Sequence, residues 1–277
     1  MLEDFSMTRP KRCRGKSVYF LEGGLGNQAA ITAHALAHND KKQHIRVSTF
    51  KYFSNLEKRN FVLEDYFNFD SSEIVFMQKR IDRYVYLILK VWSKIIRKPT
   101  VNLRVLGCIY RLGYHQDDMI ENIKFLKPHL RMPIESTSHL SIHIRRGDYT
   151  HAKHQSHGLI SVNDVKTVAL KILRENNLRQ ISIISEDPDI FTNFANDNNF
   201  ESLELNDCTL SRECDVFRTM LNSSFIIATN STFSLLAGSL SNGQLFIPDI
   251  WDKSQSSTFL GTDVKRYGAS FELEDMS

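Results

Sequence analysis

The feature that most restricts the fold of this chain is a repeated order of buried strand, polar or glycine turn, and helix. Residues 18–21 form a short apolar run, the turn at residues 22–28 contains three glycines, and the Ala-rich segment 29–37 favours a helix. The same unit follows an alternating strand at residues 140–144 and a buried strand at residues 181–184. Strands that alternate with helices predict a parallel sheet with helices on both faces.

The distribution of these units predicts two domains. The first half of the chain holds one unit and the second half at least three, with further strands at residues 225–228 and 245–248. Prolines and short polar residues cluster at residues 128–138 and indicate the boundary. The predicted division is a basic flexible tail (1–16), an N-terminal domain (17–132) and a C-terminal domain (133–277).

The composition excludes several classes of protein. A hydrophobic content of 42% and a charged content of 24% are those of a folded chain rather than a disordered one. The net charge of +3 is too small for a general nucleic-acid binder, so we expect no nucleic-acid partner and only a local anion site.

Cysteine usage and hydropathy predict a cytoplasmic protein. The four cysteines show no C-x-x-C spacing, and they are too few for a disulfide scaffold in a chain of 277 residues. No apolar stretch has the length of a transmembrane helix, and residues 1–16 contain no apolar signal-peptide region.

An amphipathic helix is predicted within residues 79–98, and two interpretations of it stay open. Its apolar residues at helical spacing are Ile81, Tyr84, Val85, Ile88, Val91, Trp92, Ile95 and Ile96, whereas Arg83, Lys90, Lys94 and Arg97 share the opposite face. The helix either packs on a sheet or lies on anionic lipid headgroups, which would give peripheral contact with the inner face of a membrane.

The sharpest motif is the segment 143–149, HIRRGDY, at the end of a predicted strand. If the strand's isoleucines point into the core, His143 and Arg145 lie on the other face, near the strand ends where ligands bind in such sheets. The planar guanidinium forks of Arg145 and Arg146 suit a diphosphate, and Asp148 would orient an arginine or accept a proton. A surface salt-bridge cluster is the alternative.

Three further segments carry polar groups at predicted turns. The glycine turn at residues 23–26 opens a helix whose N–H groups favour a phosphate or a sugar hydroxyl, although a purely structural turn fits equally well. Residues 229–234 either cap the next helix or bind phosphate, and Asp187 either caps a helix or pairs with a purine. The histidines at positions 151, 154 and 157 lack further metal ligands, so acceptor binding or solvation is expected and no metal.

Together these motifs resemble the bacterial-type alpha-1,2-fucosyltransferases of glycosyltransferase family 11. The resemblance rests on residues 23–28 (GGLGNQ), 143–149 (HIRRGDY), 185–188 (SEDP) and 229–234 (TNSTFS), followed by a late segment from Pro248 to Trp251. It implies an α/β, GT-B-like fold of two Rossmann-like domains with parallel sheets. The C-terminal domain would bind GDP-fucose and the N-terminal domain would face the acceptor.

The resemblance also implies roles for individual residues. The donor-binding residues it implies are Arg145, Arg146, Glu186, Asp187, Asn230, Ser231, Thr232, Ser234, Gly24, Gly26 and Asn27. The acceptor-binding residues it implies are Gln28, Tyr149, His154 and His157, and the catalytic ones are Arg145, Asp148 and His143. No metal and no cofactor are expected, because the arginines would neutralise the leaving diphosphate.

The implied reaction is inverting transfer of L-fucose to the 2-hydroxyl of a terminal galactoside. Asp148 is the first choice of general base, with His157 or His154 in reserve. The acceptor would be an oligosaccharide, free or lipid-linked, or a surface polysaccharide such as O-antigen. Two alternatives stay open: a transferase with the same donor and another acceptor, and a noncatalytic nucleotide-sugar or glycan-binding relative.

Overall fold

The structure is a computed structural model. It describes residues 17–39, 45–49, 51, 60–77, 79–98, 100–106, 108–113, 118–147, 158–209, 211–252, 255–256 and 264–271. The predicted basic tail, residues 1–16, lies outside the described residues.

Strands and helices alternate along most of the described chain. The strands are β1 (Ser17–Phe20), β2 (Ile45–Ser48), β3 (Ile74–Met77), β4 (Val101–Val105), β5 (Cys108–Leu112), β6 (Thr137–Ile144), β7 (Gln180–Ser185), β8 (Glu204–Asp207), β9 (Ser223–Ala228), β10 (Gln244–Pro248), β11 (Ile250–Asp252), β12 (Gln255–Ser256) and β13 (Lys265–Tyr267). The α-helices are α1 (Leu25–Ala37), α2 (Leu63–Tyr66), α3 (Arg80–Ile96), α4 (Met119–Ile123), α5 (Val162–Asn176), α6 (Pro188–Ala195), α7 (Glu213–Asn222) and α8 (Thr232–Leu240). Short 3₁₀ helices cover Lys124–His129 and Asn198–Phe200.

The C-terminal sheet has the strand order of a Rossmann fold. From one edge to the other the order is β8-β7-β6-β9-β10-β13, and every pairing is parallel. Numbered within this sheet alone, the order is 3-2-1-4-5-6, the arrangement of doubly wound nucleotide-binding sheets.

The N-terminal sheet is a shorter version with one reversed edge strand. Its order is β3-β2-β1-β5-β4, in which β1 is parallel to both of its neighbours and β4 is antiparallel to β5. The predicted α/β class with two Rossmann-like sheets is confirmed, and the antiparallel edge strand β4 is the exception to the expected parallel pairing.

Local sequence explains why these elements form where they do. In β6 the alternating residues Leu140, Ile142 and Ile144 are fully buried, as expected for a central parallel strand. The helix α5 begins where the Ser161 hydroxyl accepts a hydrogen bond from the Asp164 N–H, and it ends at Asn177, which has a φ of 51°.

One apolar core joins the two sheets. Buried side chains from β1 and α1 pack in the same cluster as side chains from α7, β9 and α8. The helices α1 and α8, one from each half of the chain, contact each other directly within this core. The turns that precede these two helices are therefore held close together.

The structure divides the predicted apolar stripe of α3 into two faces. Val85 of the stripe packs on the N-terminal sheet together with Tyr86 and Leu89, which the stripe did not include, whereas most other members of the stripe remain exposed. The first of the two interpretations left open by the sequence, packing on a sheet, therefore holds for one side of α3 only. Among the described residues no helix combines the length and apolarity needed to cross a bilayer.

Candidate functional site

Three of the predicted motifs follow neighbouring strands of the C-terminal sheet. Residues 145–147 follow β6, residues 186–187 follow β7 and residues 229–231 follow β9, and β6 lies between β7 and β9. Since the strands are parallel, the three segments lie together at the carboxyl ends of the strands. The strand order reverses between β6 and β9, which is where ligands bind in doubly wound sheets.

Hydrogen bonds tie the β6 and β9 loops together. The backbone N–H of Arg145 donates to Thr229 Oγ1 over 2.9 Å, and the N–H of Thr229 donates to the His143 carbonyl over 3.1 Å. The Thr229 side chain is fully buried, so this contact is sheltered from water. The backbone at the start of the arginine motif is thus fixed by the neighbouring strand.

Glu186 is the partner of the arginine motif. Its carboxylate forms an ion pair with the Arg145 guanidinium and accepts the Arg146 N–H over 3.3 Å. The side chains of Arg145 and Glu186 are 20% and 40% exposed, so the pair borders solvent. The resemblance listed Glu186 among the donor-binding residues and did not anticipate this pairing; the available signal was its position directly after the next predicted strand along the chain.

The two arginines of the motif are in different environments. Arg146 is 3% exposed, and both Nη1 and Nη2 donate to the carbonyl of Ile160 over 3.2 Å. These bonds hold the segment directly before α5. Of the two guanidiniums, that of Arg145 is the one positioned toward solvent at the strand ends.

Gly147 lets the loop approach Glu186 closely. It has a φ of +30°, and a Cβ at this position would lie 3.2 Å from Glu186 Cδ. Glycine is the residue that tolerates both this backbone conformation and this contact.

His143 is buried beneath the site and neutral. Burial, and then the positive charge of Arg145, lower the pKa of His143 from 6.5 to about 3. Its ring packs near that of Phe233, and within the described chain its Nδ1 has no hydrogen-bond partner. At pH 7 the His143 ring is therefore uncharged, and its catalytic role stays a prediction.

Asp187 caps a helix. Its carboxylate accepts the Asp189 N–H over 3.0 Å, and Pro188 occupies the first turn of α6. Of the two interpretations left open by the sequence, the structure places Asp187 in the capping role; contact with the donor stays a prediction.

The Asn-Ser-Thr motif begins α8. The Asn230 amide donates to the carbonyls of Gly158 and Trp251, both over 3.1 Å, and Ser234 Oγ donates to the Ser231 carbonyl over 3.1 Å. Ser231 is the N-cap residue but makes no side-chain capping bond, and Thr232 is the first helical residue. Ser231 therefore leaves the first N–H groups of α8 without a side-chain cap, which is a feature of helix starts that bind anions.

The glycine turn meets the start of α8. Gly23 has a φ of +79°, and a Cβ there would lie 2.5 Å from Asn27 Nδ2. Gly24 is the N-cap residue of α1 and has no side chain to cap it. A Cβ on Gly26 would lie 2.5 Å from the carbonyl carbon of Thr232, so two helix N-termini from different sheets are in contact.

The buried Gln28 side chain is hydrogen-bonded to the backbone of the glycine turn. Its side-chain amide donates to the carbonyls of Gly23 and Asn60, over 3.1 and 2.8 Å, and its oxygen accepts the Val62 N–H over 3.2 Å. Gln28 is fully buried. This geometry gives it a structural role, and its contact with an acceptor stays a prediction.

The remaining predicted residues lie outside the described residues. These are Asp148, Tyr149, His154 and His157, together with His151. Their roles as general base and acceptor contacts stay predictions. In the described part of the chain, no group of three His, Cys, Asp or Glu residues is arranged to hold a metal ion.

Comparisons with known proteins give weak structural similarities. No family model and no curated protein matches the sequence. The fold is similar to E. coli heptosyltransferase WaaC with ADP, with a TM-score of 0.40 and 11% identity over 84% of this chain and 86% of that one. It is also similar to POFUT1 in complex with GDP-fucose, with a TM-score of 0.41 and 9% identity over 92% of this chain and 98% of that one. TM-scores this low assign neither an activity nor a ligand to this chain.

Substitution of Gly26 tests the contact between the helix N-termini. We expect Gly26→Ala to lower the free energy of unfolding by about 1–3 kcal/mol, because its Cβ must displace the backbone of α8. Gly268→Ala is the matched control, since a Cβ there meets nothing within 4 Å. Urea unfolding of the two variants makes the comparison, and equal stability would show that the helices are not in close contact.

The neutral state of His143 predicts a pH dependence of stability. Its pKa is near 6.5 when unfolded and about 3 when folded, so between these values the unfolded chain binds more protons. The free energy of unfolding should therefore fall as the pH drops from 6.5 toward 3, by about 1.4 kcal/mol per pH unit for this group.

The variant His143→Gln isolates this effect. This substitution should remove the part of the pH dependence of the free energy of unfolding that comes from His143. The part that comes from His139, whose pKa is also lowered by burial, should remain. Urea unfolding at several pH values measures the slope of unfolding free energy against pH for the original protein and for the variant. Identical slopes in the two proteins would mean that His143 titrates normally in the folded state.

Proposed function

We propose that this protein is an inverting glycosyltransferase that moves L-fucose from GDP-fucose to the 2-hydroxyl of a terminal galactoside. The observation that carries the proposal is the convergence of Arg145, Glu186 and the start of α8 at the reversal point of the C-terminal sheet. The specific donor and linkage come from the resemblance of the motifs, and the geometry supports an anion site at their meeting point.

The charge distribution at these strand ends suits a nucleoside diphosphate. The start of α8 supplies the positive end of a helix dipole, and Arg145 adds a guanidinium whose charge is partly balanced by Glu186. A guanidinium has five N–H donors in one plane, so it can bind a diphosphate while a carboxylate orients it. Glu186 is the group that orients Arg145 in this proposal.

The proposed step is a single in-line displacement. The acceptor hydroxyl attacks the anomeric carbon as the bond to the diphosphate breaks, and a base removes the hydroxyl proton. Arg145 stabilises the negative charge that develops on the departing GDP, which is where electrostatic catalysis acts most strongly. Asp148 remains the proposed base, with His157 and His154 in reserve.

Release of GDP from GDP-fucose tests the function. With EDTA present, and with a panel of β-galactoside acceptors, we expect acceptor-dependent GDP release and an alpha-1,2-linked product. GDP release with a product of different linkage, or with another acceptor only, would keep GDP-fucose as the proposed donor and replace the galactoside 2-hydroxyl as the proposed acceptor. GDP binding without turnover on any acceptor would favour a noncatalytic relative instead.

Substitution of Arg145 tests the mechanism. We expect Arg145→Ala to lower kcat on the order of 10²-fold, since one charged donor to the leaving group is lost. Arg174→Gln, on the exposed face of α5, is the control and should keep full activity. Near-normal turnover of Arg145→Ala would remove this residue from the proposed mechanism.

A further inference from the structure

The helix α3 exposes a continuous apolar surface. Its members, here called the apolar face, are Tyr84 (67% exposed), Leu87 (49%), Ile88 (55%), Val91 (59%), Trp92 (53%) and Ile95 (67%). Their spacing of three and four residues places them side by side along three turns. Single exposed apolar residues are ordinary, but a contiguous row of large ones marks an interaction surface.

This exposure is not a sign of a poorly docked helix. On its other side α3 buries Val85, Tyr86 and Leu89 against the N-terminal sheet. Asp82 is fully buried and accepts two hydrogen bonds from Arg46, of 2.6 and 2.8 Å. A buried bidentate pair of this kind fixes the rotation of the helix about its axis, so the apolar face is held outward.

Basic side chains follow one edge of the apolar face. Arg80, Arg83, Lys94 and Arg97 are exposed, and at 3.6 residues per turn they lie on the Leu87 side. The only acidic residue of α3 is Asp82, which is already paired inside the protein. The exposed surface of α3 therefore combines apolar side chains with positive charge and no negative charge.

We propose that α3 lies in the headgroup region of a lipid bilayer that contains anionic lipids. The apolar face enters the boundary between headgroups and acyl chains, and the basic edge contacts lipid phosphates. The position of Trp92 within the face is typical of interfacial helices, because the indole ring is favoured at headgroup depth. A helix with separate apolar and basic sides is complementary to such a surface, whereas a neutral apolar partner would leave the charges without a counterpart.

The chain's own N-terminal segment is a less suitable occupant. Residues 1–16 contain five basic and two acidic residues, so they carry net positive charge, as the edge of α3 does. Like charges repel, which disfavours coverage of this surface by the tail.

The helix α3 also contacts the residue that precedes the glycine turn. Lys90, within α3, forms an ion pair of 3.2 Å with Glu22, the residue directly before Gly23. Tyr86, on the buried side of α3, also donates to Glu22 over 3.0 Å, so the turn lies across the helix from the apolar face, one helix diameter (~10 Å) from the proposed bilayer. On the proposed function this position suits an acceptor carried on a lipid, but vesicle binding itself does not depend on that function.

Flotation with lipid vesicles tests the proposal. The full chain is mixed either with vesicles of phosphatidylcholine and phosphatidylglycerol or with vesicles of phosphatidylcholine alone. We expect strong binding to the anionic vesicles, weaker binding to the neutral ones, and a blue shift of Trp92 emission on binding. Trp251 is 7% exposed and should contribute little to the shift.

Variants separate the apolar from the electrostatic contribution. Trp92→Ser and Ile95→Ser should each weaken partitioning about tenfold, whereas Phe125→Ser, which removes a 53% exposed side chain from a 3₁₀ helix, should leave it unchanged. Arg83→Gln and Lys94→Gln should each weaken it about fivefold, with Lys171→Gln on α5 as the control. Circular dichroism confirms that each variant is folded.

Two outcomes would overturn the proposal. Vesicle binding that Trp92→Ser and Ile95→Ser leave intact would assign the contact to another part of the chain. A dimer in vesicle-free sedimentation that Ile95→Ser dissociates, together with no vesicle binding, would make a second copy of this chain the occupant of the apolar face.

Discussion

The packing of α1 against α8 is the contact on which the rest of the structure depends. Each helix follows a turn that supplies part of the candidate site, so the contact between the helices brings turns from the two sheets together. The approach at Gly26 is close enough that no side chain fits between the helices. Because interiors are packed at nearly crystalline density, this contact has little freedom to adjust. The position of the glycine turn relative to the Asn-Ser-Thr motif follows from it.

Electrostatics divides the polar residues of the candidate site into two groups. His143, Arg146 and Thr229 are buried, and they hold the loop backbone or remain neutral. Arg145 and Glu186 form their pair where water still reaches them. Burial of an uncompensated charge costs free energy, so the charged groups that can meet a ligand are those at the strand ends. This separation is why Arg145 is the residue to which the proposed chemistry assigns the leaving group.

The helix α3 shows how one amphipathic pattern serves two environments. A buried ion pair with Arg46 orients the helix, a narrow face packs on the sheet, and the wider apolar face turns outward. Hydropathy periodicity reports that a residue prefers an apolar neighbour, but it does not specify whether that neighbour is protein or lipid. The direction in which each side chain points depends on how the helix is docked, and long-range contacts set this docking.

The sequence by itself determined the α/β class, the parallel pairing of the strands that alternate with helices, and the placement of the polar motifs at strand ends, but not the antiparallel edge strand β4. These follow from local periodicity, from glycine in the turn at Gly23, and from capping groups such as Asp187, all of which act over a few residues. The tertiary structure decided which loops are neighbours: it placed β6 between β7 and β9, paired Glu186 with Arg145, and buried Gln28 behind the turn. Strand order and burial depend on contacts between residues far apart in the chain, and local patterns carry no information about those partners.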